Sequence, residues 1–200
     1  MKVNHFFLLI CFCLIATSVF GQRLKPNYVS VSYLGEMITH PGLNISAHYR
    51  IKSWDKKRVK KNDTQIKKDR SINLSPSLKF FYHKRYQNGL SSAINLNYHS
   101  LRNGKWTFGT GIGVGYLRTF IPNTFVYNEN GTFEKKISGH NYVSSNIFLS
   151  WGRKINSLSN NPMEVYIKPQ YWIAFPNFPN TVSYFMFEVG LTIDLKKSKK

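Results

Sequence analysis

The sequence predicts an all-β chain, an eight-stranded antiparallel up-and-down transmembrane β-barrel, and three observations carry that expectation. In Trp106 to Ile121 the even positions, Trp106, Phe108, Thr110, Ile112, Val114, Tyr116, Arg118 and Phe120, are mostly large and apolar, while Gly109, Gly111, Gly113 and Gly115 hold odd positions. Side chains alternate faces along a strand, so one face is bulky and the other nearly bare. Glycine weakens a strand and marks a close approach, as inside a narrow closed barrel, which leaves the bulky face pointing outward to lipid. The same alternation recurs seven more times, with aromatics near strand ends (Trp106, Phe120, Trp151, Tyr171) and a final apolar strand close to the C-terminus. That is the pattern of a membrane barrel with aromatic girdles.

Residues 1–21 read as a signal peptide: Lys2, then the apolar run Phe6 to Ala16, then Val19 and Gly21 before a cut at Gln22. Residues 22–200 form the barrel domain, 200 less 21 leaving 179 residues, and Cys11 and Cys13 leave with the signal. The mature chain then has neither disulfide nor thiol chemistry. No later apolar run is long enough for a transmembrane helix, so insertion falls to strands. The formal charge of +19 falls to +18 without Lys2 and favours anionic partners. Export disfavours nucleic acid.

In order, Val29, Val31 and Tyr33 face out against Ser30 and Ser32. Leu43, Ile45, Ala47, Tyr49 and Ile51 alternate with Asn44, Ser46, His48 and Arg50. Leu74, Pro76, Leu78, Phe80 and Tyr82 oppose Ser75, Ser77, Lys79, Phe81 and His83, and Leu90, Ile94, Leu96 and Tyr98 oppose Ala93, Asn95, Asn97 and His99. After the Trp106 strand come Val143 to Trp151, with Phe148 out of pattern on the polar face, then Val165 to Ile173, then Phe185 to Leu195. Asn88-Gly89 and Asn103-Gly104 have the sequence of type I′ hairpin turns, and Pro41-Gly42 also reads as turn chemistry.

This rhythm, with the Gly-x-Gly-x-Gly strand and the terminal strand, resembles the small outer-membrane barrels of the OmpA-like or "outer membrane protein β-barrel domain" type of Gram-negative bacteria. Tyr33-Leu34-Gly35-Glu36, His40-Pro41-Gly42 and Tyr82-His83-Lys84-Arg85 are similar to an uncharacterised Bacteroidota-type subgroup. The resemblance spans Tyr28 to Leu195 and implies outer-membrane localisation and insertion by the barrel-assembly machinery, with no activity to carry over. Lys196-Lys197-Ser198-Lys199-Lys200 departs from the terminal aromatic of many such barrels.

Two connections are long. The run Asp55 to Arg70 carries Lys56, Lys57, Arg58, Lys60, Lys61, Lys67, Lys68 and Arg70. It is either a solvated loop or a contact for lipopolysaccharide phosphates, anionic glycan or peptidoglycan. With the N-terminus in the periplasm it falls on the periplasmic side, where turns are normally short. Asn123 to His140 carries Phe125, Tyr127 and Phe133, either as an outward-facing contact loop or as a loop folded on the barrel rim. Inside, His48, Arg50, Lys79, His83 and Arg85 would meet Glu164, Glu188 and Asp194 in a cross-lumen ionic network; the alternative is a polar ligand site or narrow conduit, which an eight-stranded interior filled by side chains disfavours.

An acyl hydrolase on the barrel wall is an alternative, but the His-x-Ser spacing of such enzymes is absent and His99-Ser100 must point to opposite faces. Glu36 and His40 have no evident nucleophile beside them. No catalytic residue, metal ligand set or cofactor is predicted. The expected function is that of a non-enzymatic, monomeric outer-membrane protein with a structural, adhesion or envelope-binding role through its loops. A soluble lipocalin-like binder, with the apolar faces turned inward, is the further alternative.

Overall fold

The computed structural model describes residues 25–36, 40–59, 65–82, 88–127, 130–155, 162–175 and 181–195. The expected signal segment and the residues after Leu195 lie outside them. The strands are β1 (Tyr28–Glu36), β2 (His40–Val59), β3 (Gln65–Phe81), β4 (Asn88–Arg102), β5 (Trp106–Tyr127), β6 (Phe133–Ser138), β7 (Asn141–Ile155), β8 (Met163–Phe175) and β9 (Val182–Asp194). They pair antiparallel in the order β4, β3, β2, β1, β9, β8, β7, β5, and β5 pairs back onto β4, which closes a ring of eight. β6 lies outside the ring and continues the line of β7 along the end of β5.

The register gives the shape. A path stepping across partners from Asp194 runs through Tyr28, His48, Ser75, Asn95, Gly113, Asn146 and Trp172 and returns to β9 at Tyr184, 194 less 184 or ten residues from its start. A stagger of ten over eight strands sets a strand tilt of roughly 40° and a backbone radius of about 8 Å. Such a barrel is filled by its own side chains. The end bearing Tyr28, the Asn103-Gly104 turn and Asp194 is called the near end below, and the end bearing Glu36 and His40 the far end.

Alternation settles which face meets lipid. Ser30, Ser32, Asn44, Ser75, Lys79, Gln170 and Glu188 are buried inside, whereas Ile112, Val114 and Phe185 are 61%, 65% and 54% exposed on the outside. A polar interior with an apolar belt all round is stable only with hydrocarbon against that belt. On β5 the belt runs from Trp106 to Tyr116, about 25 Å along the barrel axis at that tilt, matching a bilayer's apolar band. The soluble reading, with this face inward, is therefore overturned.

The glycine ladder faces inward as expected, and its cause is side-chain crowding. A Cβ on Gly111 would meet the Phe148 ring and the Leu96 carbonyl, and one on Gly113 would meet the amide oxygens of Asn95 and Asn146. Phe148, out of pattern by sequence, is 6% exposed and lies in the space those glycines leave.

Several expectations need correction. Asn103-Gly104 is a turn with φ of 50° and 68°, but Asn88 and Gly89 are extended, opening β4 opposite Phe120 and Thr119. Gly89 is needed there because the Phe81 ring occupies the site of its missing side chain. Pro41-Gly42 is likewise strand, paired with Gly35 and Leu34. The two long connections are mostly ladder: β2 and β3 stay paired out to Val59 and Gln65, past a bulge between Arg50 and Lys52, and β5 stays paired with β6 out to Tyr127 and Phe133. Both extend as hairpins beyond the ring, the basic one at the near end and the aromatic one at the far end.

Candidate functional site

The lumen is divided in two. Towards the far end Leu34, Phe81, Leu117, Tyr142, Trp172 and Tyr184 form an apolar plug. Below it sits Glu188, fully buried, with Oε1 accepting hydrogen bonds from Ser32 Oγ (2.7 Å), Asn44 Nδ2 (2.8 Å) and Tyr166 OH (2.6 Å). Its Oε2 accepts from Gln170 Nε2 (2.8 Å) and meets Lys168 Nζ at 2.6 Å. Lys79 donates to Gln170 Oε1 at 3.2 Å and lies 4.2 Å from the centre of the Trp172 ring. A buried carboxylate held by five donors from β1, β2 and β8 is a cross-lumen clasp, because an unpaired charge there would be prohibitive.

The predicted lumen network is thus present with altered membership. Glu188 and Lys79 join it, and Lys168, which the network expected from the sequence did not include, supplies the ion pair. Glu164 pairs elsewhere, with His99 Nε2 at 3.4 Å and Thr107 Oγ1 at 2.6 Å. His48 sits between two hydroxyls, with Nδ1 2.7 Å from Ser75 Oγ and Nε2 2.9 Å from Ser30 Oγ. Arg50 shares the inward face with its register partner Asn73 but is exposed at the near mouth, outside the ionic network, with its guanidinium 5.1 Å from the Tyr28 ring centre; the bulge that follows it shifts the register of the rest of β2. His83 and Arg85 lie outside the described residues.

Between the clasp and the near end is a cavity of about 90 Å³ lined by His48, Asn73, Asn97, His99, Lys154 and Glu164, among others. Closed above by the clasp and plug, it is a dead end. A serine and a histidine meet there, but the second ring nitrogen of His48 faces a hydroxyl where a nucleophile-activating triad needs a carboxylate. His99 and Ser100 take opposite faces, His99 inside with Glu164 and Ser100 in register with Arg70 and Phe108 on the outer wall. Among the described residues no group of three metal-binding side chains occurs.

The basic hairpin sets like charges side by side: Lys56 is the register partner of Lys68, and Lys57 of Lys67. Trp54 pairs with Arg70 and Asp55 with Asp69, while Lys67 Nζ reaches Asp69 Oδ1 at 3.4 Å. Arg58 lies opposite Ile66. Lys60 and Lys61 lie outside the described residues. The sequence located these cations but not their pairing, which depends on two strands continuing through what reads as a loop. At the far end Phe125, Tyr127 and Phe133 are 61%, 65% and 72% exposed, Tyr127 and Phe133 stacking edge-on at 5.2 Å. They are not folded on the rim.

The chain is a closed eight-stranded transmembrane β-barrel. No family model matches it, and no curated protein matches it. Several solved structures are similar to it, two of which are outer-membrane proteins of known name. The β-domain of the Bordetella autotransporter BrkA shares 8% identity at a TM-score of 0.37, over 82% of this chain and 68% of that one. The outer-membrane enzyme PagL shares 12% identity at a TM-score of 0.35, over 84% of this chain and 99% of that one.

Proposed function

We propose that the chain is exported by residues 1–21 to the outer membrane of a Gram-negative envelope. There it acts as a monomeric, non-enzymatic barrel whose basic hairpin holds an anionic envelope component. The observation carrying this reading is the register of the basic hairpin, in which Lys56 stands opposite Lys68 and Lys57 opposite Lys67 on strands that stay paired beyond the ring. Like charges directly opposite each other destabilise a strand pair; Lys67 is already met by Asp69 at 3.4 Å, and an external anion would offset the repulsion left between Lys56 and Lys68. The dead-end lumen leaves the outer surfaces as the parts free to act.

The test uses the mature chain in detergent and measures binding to lipopolysaccharide and, separately, to peptidoglycan sacculi. It compares wild type with the variant carrying Lys56→Gln, Lys57→Gln, Arg58→Gln, Lys67→Gln and Lys68→Gln. Binding to at least one of the two polymers should fall roughly tenfold at moderate salt, as electrostatic contacts of this kind do. Equal binding by a variant that still folds removes the proposal.

A further inference from the structure

A second set of cations lies on the outer wall, nearer the membrane than the hairpin tip and drawn from different strands. At the stated tilt each residue advances about 2.5 Å along the barrel axis, and each step to the next strand about 3 Å. Measured this way from the belt centre at Ile112, the outward side chains Lys52 of β2, Arg70 of β3, Arg102 of β4 and Arg153 of β7 all lie about 12–18 Å towards the near end, where a bilayer's apolar core gives way to phosphates. Trp106 on β5 lies at the same height between Arg102 and Arg153, its register partners. The Arg153 guanidinium is 5.4 Å from a Trp106 ring centre that is itself 60% exposed.

The register keeps these residues on the lipid-facing side. Lys52 pairs with Ile72 and Arg70 with Trp54 and Ser100; Arg102 pairs with Lys68 as well as with Trp106. Among the described residues no acidic side chain shares that near-end outer face: Asp55 and Asp69 pair on the inward side of the hairpin and Glu164 lies in the lumen. Arg70 Nε is buried without a hydrogen-bond partner. At the corresponding height of the far end the described outer wall carries one cation, Arg118, already donating to Asn141 Oδ1 at 2.6 Å. Among the described residues that is four cations at the near end against one at the far end.

We propose that Lys52, Arg70, Arg102 and Arg153, with Trp106, form a binding surface for the phosphates of anionic phospholipids in the leaflet at the near end. The four cations sit one per strand along an arc of roughly 25 Å, room for several monophosphate headgroups side by side. The indole and the guanidinium stacked on it span the boundary that a headgroup occupies, apolar below and charged above. This rests on the membrane-barrel reading but not on the hairpin's role.

The experiment reconstitutes the full mature chain into nanodiscs of mixed phosphatidylglycerol and phosphatidylcholine and reads the lipids that remain on the protein by native mass spectrometry. The wild type should retain phosphatidylglycerol about fivefold over its share of the mixture, and the preference should fade as salt rises from about 0.05 M to about 0.5 M. It should be lost on combining Lys52→Gln, Arg70→Gln, Arg102→Gln and Arg153→Gln, and kept in Arg118→Gln. Retention at the mixing ratio, an unaltered preference in the fourfold variant, or displacement of phosphatidylglycerol by lipid A at equal concentration would each overturn the proposal. Should the fourfold variant not fold, the salt series and the single variants Arg70→Gln and Arg102→Gln decide. Failure of the wild type to give a heat-modifiable folded band in any lipid is a separate outcome and removes the membrane reading itself.

Discussion

Replacing Glu188 by glutamine removes the charge at the centre of the luminal clasp while keeping its size. Lys168, 2.6 Å away, loses its counter-ion, and Lys79, which reaches the clasp through Gln170, loses the carboxylate that offsets its charge. Of the five donors now aimed at the carboxylate, those on Oε1 or those on Oε2 must face an amide N–H, because glutamine offers one acceptor oxygen. Breaking a buried pair by removing one partner costs about 3–5 kcal/mol. With a urea dependence of ~2 kcal/mol per molar, the unfolding midpoint should fall by roughly 2 M, read by tryptophan fluorescence in lipid vesicles. Combining Glu188→Gln with Lys168→Met should cost less than the two single changes summed, by about 1–3 kcal/mol, since neither charge is then left alone. A midpoint within 0.5 M of wild type, a bound of roughly 1 kcal/mol on the same slope, would refute the clasp, and strict additivity would refute the coupling.

Depth in the membrane is testable on one strand. Ile112→Lys should destabilise the inserted barrel by about 2–4 kcal/mol and Trp106→Lys by less than about 2, because the charge penalty is greatest at the bilayer midplane and small at the interface; equal costs would contradict the placement of the belt. Gly113→Leu should abolish the heat-modifiable form on a denaturing gel, since its side chain would enter the space of the Asn95 and Asn146 amides, whereas Val114→Leu on the outer wall should leave that form intact.

How much was legible in the sequence follows from what each feature depends on. Strand period two is local, so parity alone separated Ile112, Val114 and Tyr116 from Gly111, Gly113 and Gly115, and it placed Glu188, Lys79 and His48 inside. Turn chemistry was half legible. Asn103-Gly104 turns with open space at Gly104 and with Asn103 tied to Lys67 by two hydrogen bonds, whereas Gly89 is drawn into β4 by a ladder partner on each side and by the Phe81 ring, a neighbour that sequence does not show. Lys168 escaped notice as an ion-pair partner because its charge reads the same on a solvated face as in a lumen.

The sequence by itself determined the eight strands of the ring, their facing and the segregation of apolar and polar side chains, since these follow from a two-residue period and from the solvents available. Only the tertiary structure decided which cations stand together. The ten-residue stagger and the bulge after Arg50 bring Lys52, Arg70, Arg102 and Arg153, spread over a hundred residues of chain, to one height on the wall. The same closure joins Ser32, Asn44, Tyr166 and Lys168 around a single carboxylate. Register between strands is set by packing around the whole ring, so no local run of residues encodes it.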